Sequence, residues 1–306
     1  MDITDIIKRI ESIDADDATK AQLKEHVFLY KQADSAFGED RYEDGISILH
    51  MLLKRVPDDI NAKTMLAIAY DSAGYPVKAI RLWEEICEIE HDIGEYSLAL
   101  ALAYRRQGWM QKAIKQLKTT VDLIPDNRMA WEQLVECSIE TEDTHEAMMN
   151  CFGAMHVLKE HGIESIRLNA FAFSFTVLGD NDRADRYLTT IIDMMRNGEK
   201  HKQGYYEDAI HSILWKIDMA ECYEFLPRIK EMADTLSDIS EWLAKYIVKV
   251  KTNAEIAAID KTFPEVISSL IELRNSDCDC EECRRETVSL ECSILSDPDG
   301  YNPELI

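Results

Sequence analysis

The sequence predicts an all-α chain, an α-solenoid of antiparallel helix pairs stacked side by side. Three observations carry this prediction. Small residues recur at a spacing of 34 positions, helix-forming stretches surround each of them, and no Pro/Gly/Ser-rich linker separates the array from the helical segments after it.

At the N-terminus, ITDIIKRIES (3–12) places Ile3, Ile6, Ile7 and Ile10 on one side of a short amphipathic helix. Residues 1–25 are expected to cap the array, because the end of a stack exposes a face that needs covering.

The repeats come next. Gly45, Ala79, Ala113 and Ala147 are successively 34 apart. Twelve residues before each anchor stand Ala33, Ala67, Ala101 and Val135, and nine before stand Ala36, Tyr70, Tyr104 and Ser138. Leu49, Trp83, Leu117 and Cys151 come four residues after each anchor, and Pro57 and Pro125 come twelve after the first and third. A fifth copy continues after a three-residue slip, with Ala172, Phe175, Ala184 and Leu188 in register.

The stretch LALALAYRRQGWMQKAI (98–114) is the hardest to place, since its Leu-Ala alternation has the period of a strand. Ala favours helix, and Leu100 and Tyr104, four apart, share one helical face. Gly108 is expected to end the first helix of this copy and WMQKAI to start the second. Ala101 and Ala113 let the paired helices approach closely.

These residues resemble the tetratricopeptide repeat (TPR) pattern, W-x2-L-G-x2-Y, A-x3-F and P. Trp131 and Leu134, Tyr70 and Tyr104, and Pro57 and Pro125 match it piecemeal, while copies four and five lack the Tyr and the closing Pro. The resemblance spans residues 26–195 and implies a right-handed superhelix of antiparallel helix pairs whose first helices line a concave peptide-binding groove.

From Gly204 the helical pattern continues without the 34-residue spacing, so residues 196–276 read as further helical pairs, degenerate repeats of the array. Four helices are expected, in YYEDAIHSILWKIDMAECYEF, LPRIKEMADTL, SEWLAKYIVKVKTNAEIAAID and FPEVISSLIELRNS. Ser240 is read as an N-cap, and Pro264 suits a first helical turn. Residues 277–306 form an acidic, Cys-rich tail in which Asn302-Pro303-Glu304 reads as a helix start that breaks off.

The chain carries 58 acids against 34 bases, a formal charge of −24. That balance excludes the basic footprint of a nucleic-acid binder and disfavours anionic membranes. It would attract a basic partner, or simply maintain solubility. No apolar run approaches membrane-spanning length and no signal peptide is evident, so a cytoplasmic location is expected. The scattered Cys87, Cys137, Cys151 and Cys222 read as reduced packing residues.

The resemblance places the groove on Tyr30, Lys31, Asp34 and Phe37 in copy one and on Asn61, Thr64, Met65 and Ile68 in copy two. Copy three contributes Leu98, Leu102, Arg105 and Arg106, copy four Met129, Glu132, Gln133 and Glu136, and copy five Asn169, Ala170, Phe173 and Thr176. Met65, Ile68, Leu98, Leu102 and Phe173 make an apolar stripe, either a docking site or a core face covered by other helices. Arg105 and Arg106 are expected to face Glu132, Glu136 and Glu140, as a charged clamp or as a salt-bridge ladder. The Lys/Asn/Arg clamp of family members that hold acidic chaperone tails is missing.

Cys278, Cys280, Cys283 and Cys292 have C-x-C-x2-C-x8-C spacing. Four thiolates suit zinc, although a structural knuckle has two C-x2-C pairs and only one is present; free thiols are the alternative. No Gly-rich phosphate loop, HExxH or G-x-S-x-G occurs, and the histidines are dispersed. The expectation is a non-enzymatic scaffold or adaptor for a protein or peptide partner. The alternatives are a chaperone shielding an apolar client segment during secretion or assembly, and a metal- or redox-responsive regulator acting through the tail.

Overall fold

A computed structural model describes residues 3–198 and 202–262. The described residues form helices and turns, in two compact units divided between Glu164 and Ser165.

In the first unit, α1 (Ile3–Ser12) precedes four helix pairs. They are α2 (Asp17–Gly38) with α3 (Tyr42–Arg55), α4 (Ile60–Ser72) with α5 (Pro76–Ile89), α6 (Gly94–Arg106) with α7 (Met110–Leu123), and α8 (Arg128–Glu140) with α9 (Thr144–Glu160). The boundary expected at residue 26 falls inside α2. That helix starts at Asp17 because the Asp16 carboxylate accepts a hydrogen bond from the Thr19 amide at 2.7 Å.

The 34-residue spacing is a packing rule. Ala33, Ala67, Ala101 and Val135 are fully buried, as are Leu49, Leu117 and Cys151. Any added methylene at these contacts would force the helices apart. The spacing also fixes the turns. Asp40, Gly74, Gly108 and Glu142 each take positive φ, between 56° and 81°, and so end the first helix of each pair in a left-handed residue. In the first three pairs the next amide returns to a carbonyl five residues back, as Tyr75 does to Tyr70 at 2.7 Å. The three-residue slip before copy five is absorbed in a helix: α9 has 17 residues where α3, α5 and α7 have 14.

The second unit contains α10 (Ile166–Thr176), α11 (Asn181–Asn197), α12 (Gln203–Ala220), a 3-10 turn (Tyr223–Phe225), α13 (Leu226–Asp234) and α14 (Glu241–Thr262). α12 and α14 lie side by side in the same direction. Glu207 accepts the Ser240 amide at 3.0 Å and its hydroxyl at 2.5 Å, and Asp218 accepts from Asn253 at 2.9 Å. These contacts join residues 33 and 35 apart, close to the spacing of the first unit. α11 and α13 pair likewise through Arg196–Glu231 and Arg228–Asp185. Ser240 stands at the N-cap position expected from the sequence, with its carbonyl accepting the Ala244 amide at 3.0 Å, and its hydroxyl also donates to Glu207 of the neighbouring helix. The helix expected in FPEVISSLIELRNS lies outside the described residues.

Candidate functional site

The first helices of the pairs in the N-terminal unit, α2, α4, α6 and α8, carry most of the expected groove positions. Tyr30 is a joint between repeats rather than a free side chain. Its hydroxyl donates to Asp59 Oδ1 at 2.6 Å, and His26 Nε2 lies 3.1 Å from Asp59 Oδ2. Asp59 in turn caps α4 by accepting the Ala62 amide at 3.0 Å. Burial pushes the Asp59 carboxyl up, but the hydrogen bonds from Tyr30, the Ala62 amide and His26 outweigh it and hold the group below its usual range.

Lys31, Asp34 and Asn61 are solvent-exposed. Ile68 is 54% exposed on α4, while Met65 on α4 and Leu98 and Leu102 on α6 are half-buried. Met65 and Leu98 rest against the core with one edge, and so do Tyr30 and Phe37. The stripe is therefore neither wholly core nor wholly free. The Thr64 hydroxyl, on the same stretch of α4, is buried without a hydrogen-bond partner.

The two arginines diverge. Arg105 donates to Glu136 at 2.6 Å and to Glu140 at 2.6 Å on α8, and also to Gln133. Arg106 turns the other way and pairs with Asp71 on α4. Glu132 is buried and pairs with Arg128 on its own helix at 3.5 Å. The expected joint facing of Arg105 and Arg106 onto the copy-four acids is thus corrected. An acid–Arg–Arg–acid ladder crosses the C-terminal ends of α4, α6 and α8, where cations also suit the helix dipoles.

In the second unit, copy five offers no open lining. Phe173 is fully buried and meets Phe225 edge-to-face with centroids 5.4 Å apart. Asn169 is buried and donates to the Ser165 carbonyl at 2.8 Å, and Ala170 and Thr176 are buried too. The signal was present in FAFSF, where apolar residues at nearly consecutive positions cover more than one side of the helix.

Sequence reasoning missed a cleft of about 540 Å³ lined by α5, α6 and α7, with Glu84, Cys87, His91 and Tyr104 among its walls. Tyr104 donates to Glu84 there at 2.6 Å. The matching bond one repeat earlier joins Tyr70 to His50 at 2.7 Å, so the Tyr of the repeat pattern locks α4 and α6 each to the preceding second helix. Lys78 and Lys112 cover these tyrosines at 5.0 and 5.1 Å from the ring centroids.

Burial pushes the thiols of Cys87 and Cys137 up to about 11 and that of Cys151 up to about 12, which makes them poor nucleophiles. Among the described residues no group of three His, Cys, Asp or Glu side chains is placed to hold a metal ion. Cys278, Cys280, Cys283 and Cys292 lie outside the described residues. No helix among the described residues is long and apolar enough to cross a membrane.

The helix pairs, their 34-residue register and their recurrent left-handed turns define a TPR-like α-solenoid protein. No family model and no curated protein matches the sequence. Solved structures of similar fold include MamA from Desulfovibrio magneticus RS-1, residue 41 to its end, 13% identical, with a TM-score of 0.48 over 57% of this chain and 97% of that one. A further crystal structure of MamA is 17% identical, with a TM-score of 0.47 over 59% and 94%. YrrB, described as a TPR protein with an unusual peptide-binding site, is 12% identical, with a TM-score of 0.40 over 52% and 80%. The fold class rests on the internal geometry rather than on these likenesses.

Proposed function

We propose that the N-terminal unit is a non-catalytic interaction scaffold that docks a protein segment on the first-helix face of α4 and α6. The observation that carries this reading is Ile68, more than half exposed, beside the half-buried Met65, Leu98 and Leu102. Such an apolar stripe, edged by Lys31, Asn61 and the Arg106–Asp71 pair, suits a short helix or extended peptide with apolar anchors and polar flanks. Arg105 is already bonded to three α8 side chains, so it orders the wall of the site and Arg106, half exposed, is the arginine within reach of a partner.

The test is a pull-down comparing wild type, Ile68→Asp on the proposed face, and Met51→Asp on the exposed side of α3. Both substituted residues are exposed, so circular dichroism should remain native. Partner loss with Ile68→Asp alone supports the face. Loss with Met51→Asp alone, or with neither, refutes it.

A further inference from the structure

A second surface, chemically unlike the first, lies on the C-terminal unit. The His211 ring on α12 sits 5.1 Å from Trp242 and 4.7 Å from Tyr246 on α14, joining the two helices into one aromatic face. Trp215, one turn beyond His211, is 54% exposed, and Trp242 is 46% exposed. Met219 continues the α12 stripe and is exposed as well. On α14, Lys245 and Lys249 come three and seven residues after Trp242 and so share its side of the helix. Lys245 pairs with the largely exposed Glu241 on its own helix, a contact that contributes little.

Charge is unevenly spread along the sequence. Residues 165–262 are nearly balanced, with 16 acids and 13 bases, whereas residues 277–306 hold 9 acids and 2 bases. We propose that the acidic C-terminal segment 277–306 of this same chain docks on the aromatic, lysine-bearing face of α12 and α14. Its acids Asp277, Asp279, Glu281 and Glu282 complement Lys245 and Lys249, and its Val288, Leu290, Ile294 and Leu295 supply apolar groups for Trp215, Met219 and Trp242.

The tether permits it. The 14 residues between Thr262 and Asp277 span about 21 Å as the helix their sequence predicts and up to about 45 Å when extended, against about 20 and 26 Å along α14 from Thr262 back to Lys249 and Lys245. α14, with 22 residues, is about 33 Å long. The segment therefore reaches the whole face, and tethering raises its effective concentration to about the millimolar range. The opposed charges make the docking salt-dependent.

The tail cysteines report docking directly. The full chain is alkylated with iodoacetamide in the presence of a chelator, so that bound metal cannot protect the thiols. Rates at Cys278, Cys280, Cys283 and Cys292 are read by peptide mass spectrometry against a free synthetic 277–306 peptide. At low salt the full chain is expected to react about fivefold or more slowly than the peptide. Lys245→Glu with Lys249→Glu, or 0.5 M salt, should restore the peptide rate, while Lys245→Arg with Lys249→Arg should keep the protection. The slow, buried Cys137 and Cys151 serve as the internal check that each variant is folded. Peptide-like rates in the wild type, protection that survives the charge reversal, or protection that grows with protein concentration and so comes from a second copy, would each overturn the proposal.

Discussion

The ring of Phe37 occupies the space that a β-carbon on Gly45 would need; that carbon would lie 2.1 Å from Phe37 Cε1. Later copies carry Ala79, Ala113 and Ala147 at the Gly45 position, and Asp71 and Arg105 where the first copy has Phe37. Those two side chains pair with Arg106 and Glu136 on neighbouring first helices. The first copy instead folds an aromatic ring back over its own second helix, and Gly45, the fourth residue of that helix, is the accommodation.

Gly45→Ala should therefore destabilise the protein by about 1–3 kcal/mol through overpacking, despite the better helix propensity of Ala. Combined with Phe37→Leu, the same substitution should cost markedly less. Urea denaturation of the two single variants and the double variant gives the coupling; additive effects would show that the ring is not the obstacle.

The left-handed turn position is filled by Gly74 and Gly108 but by Asp40 and Glu142 in the outer pairs. A left-handed residue with a β-carbon costs about 1 kcal/mol. Asp40→Gly and Glu142→Gly should each stabilise by up to about 1 kcal/mol, less a small loss from greater unfolded-state entropy. Gly108→Ala should do the reverse. Thermal melting of the three variants checks the signs.

Asp59 makes the junction of the first two pairs acid-sensitive. Its carboxyl is held below its usual range in the folded state. The stability it contributes is full above the unfolded value near ~3.9 and is lost as pH falls through the lower folded value. Asp59→Asn retains a capping side chain, as Asn127 does for α8, but loses the charge-assisted bonds. The stability gap between wild type and Asp59→Asn should be at its full size at about pH 6 and should shrink below about pH 4. A gap independent of pH would mean that the charge on Asp59 contributes nothing.

Arg105 and Arg106 are adjacent yet should behave differently. Arg105, bonded to Gln133, Glu136 and Glu140 and mostly shielded, should cost about 1–2 kcal/mol as Arg105→Ala, because partly buried acids lose their donor. Arg106→Ala breaks one half-exposed pair and should cost under about 0.5 kcal/mol. Equal losses in chemical denaturation would contradict the ladder.

The array was legible because its contacts leave no slack. Where Ala33, Ala67 and Ala101 touch the neighbouring helix, only a small residue fits, so the spacing is written into the sequence. The turns at Asp40 and Glu142 were hidden because only two of the four carry Gly, although the 34-residue register passes through all of them. Charged side chains were less legible still. Helical spacing puts Arg106 on a face, but a long side chain chooses between Asp71 behind it and the acids ahead, and that choice depends on three-dimensional neighbours. Phe173 was misplaced because a register carried over from the first four copies outweighed the apolar cluster FAFSF within α10.

Docking on the face of α4 and α6 is tested most directly by site-specific photocrosslinking. A benzophenone amino acid replaces Ile68 in one variant and Met51 in another, and adducts are mapped after irradiation with native lysate. A discrete adduct is expected from position 68, absent from position 51 and competed by excess unlabelled wild type. An adduct from position 51 with none from position 68 would contradict the docking face, and the interaction surface would then belong to the second helices.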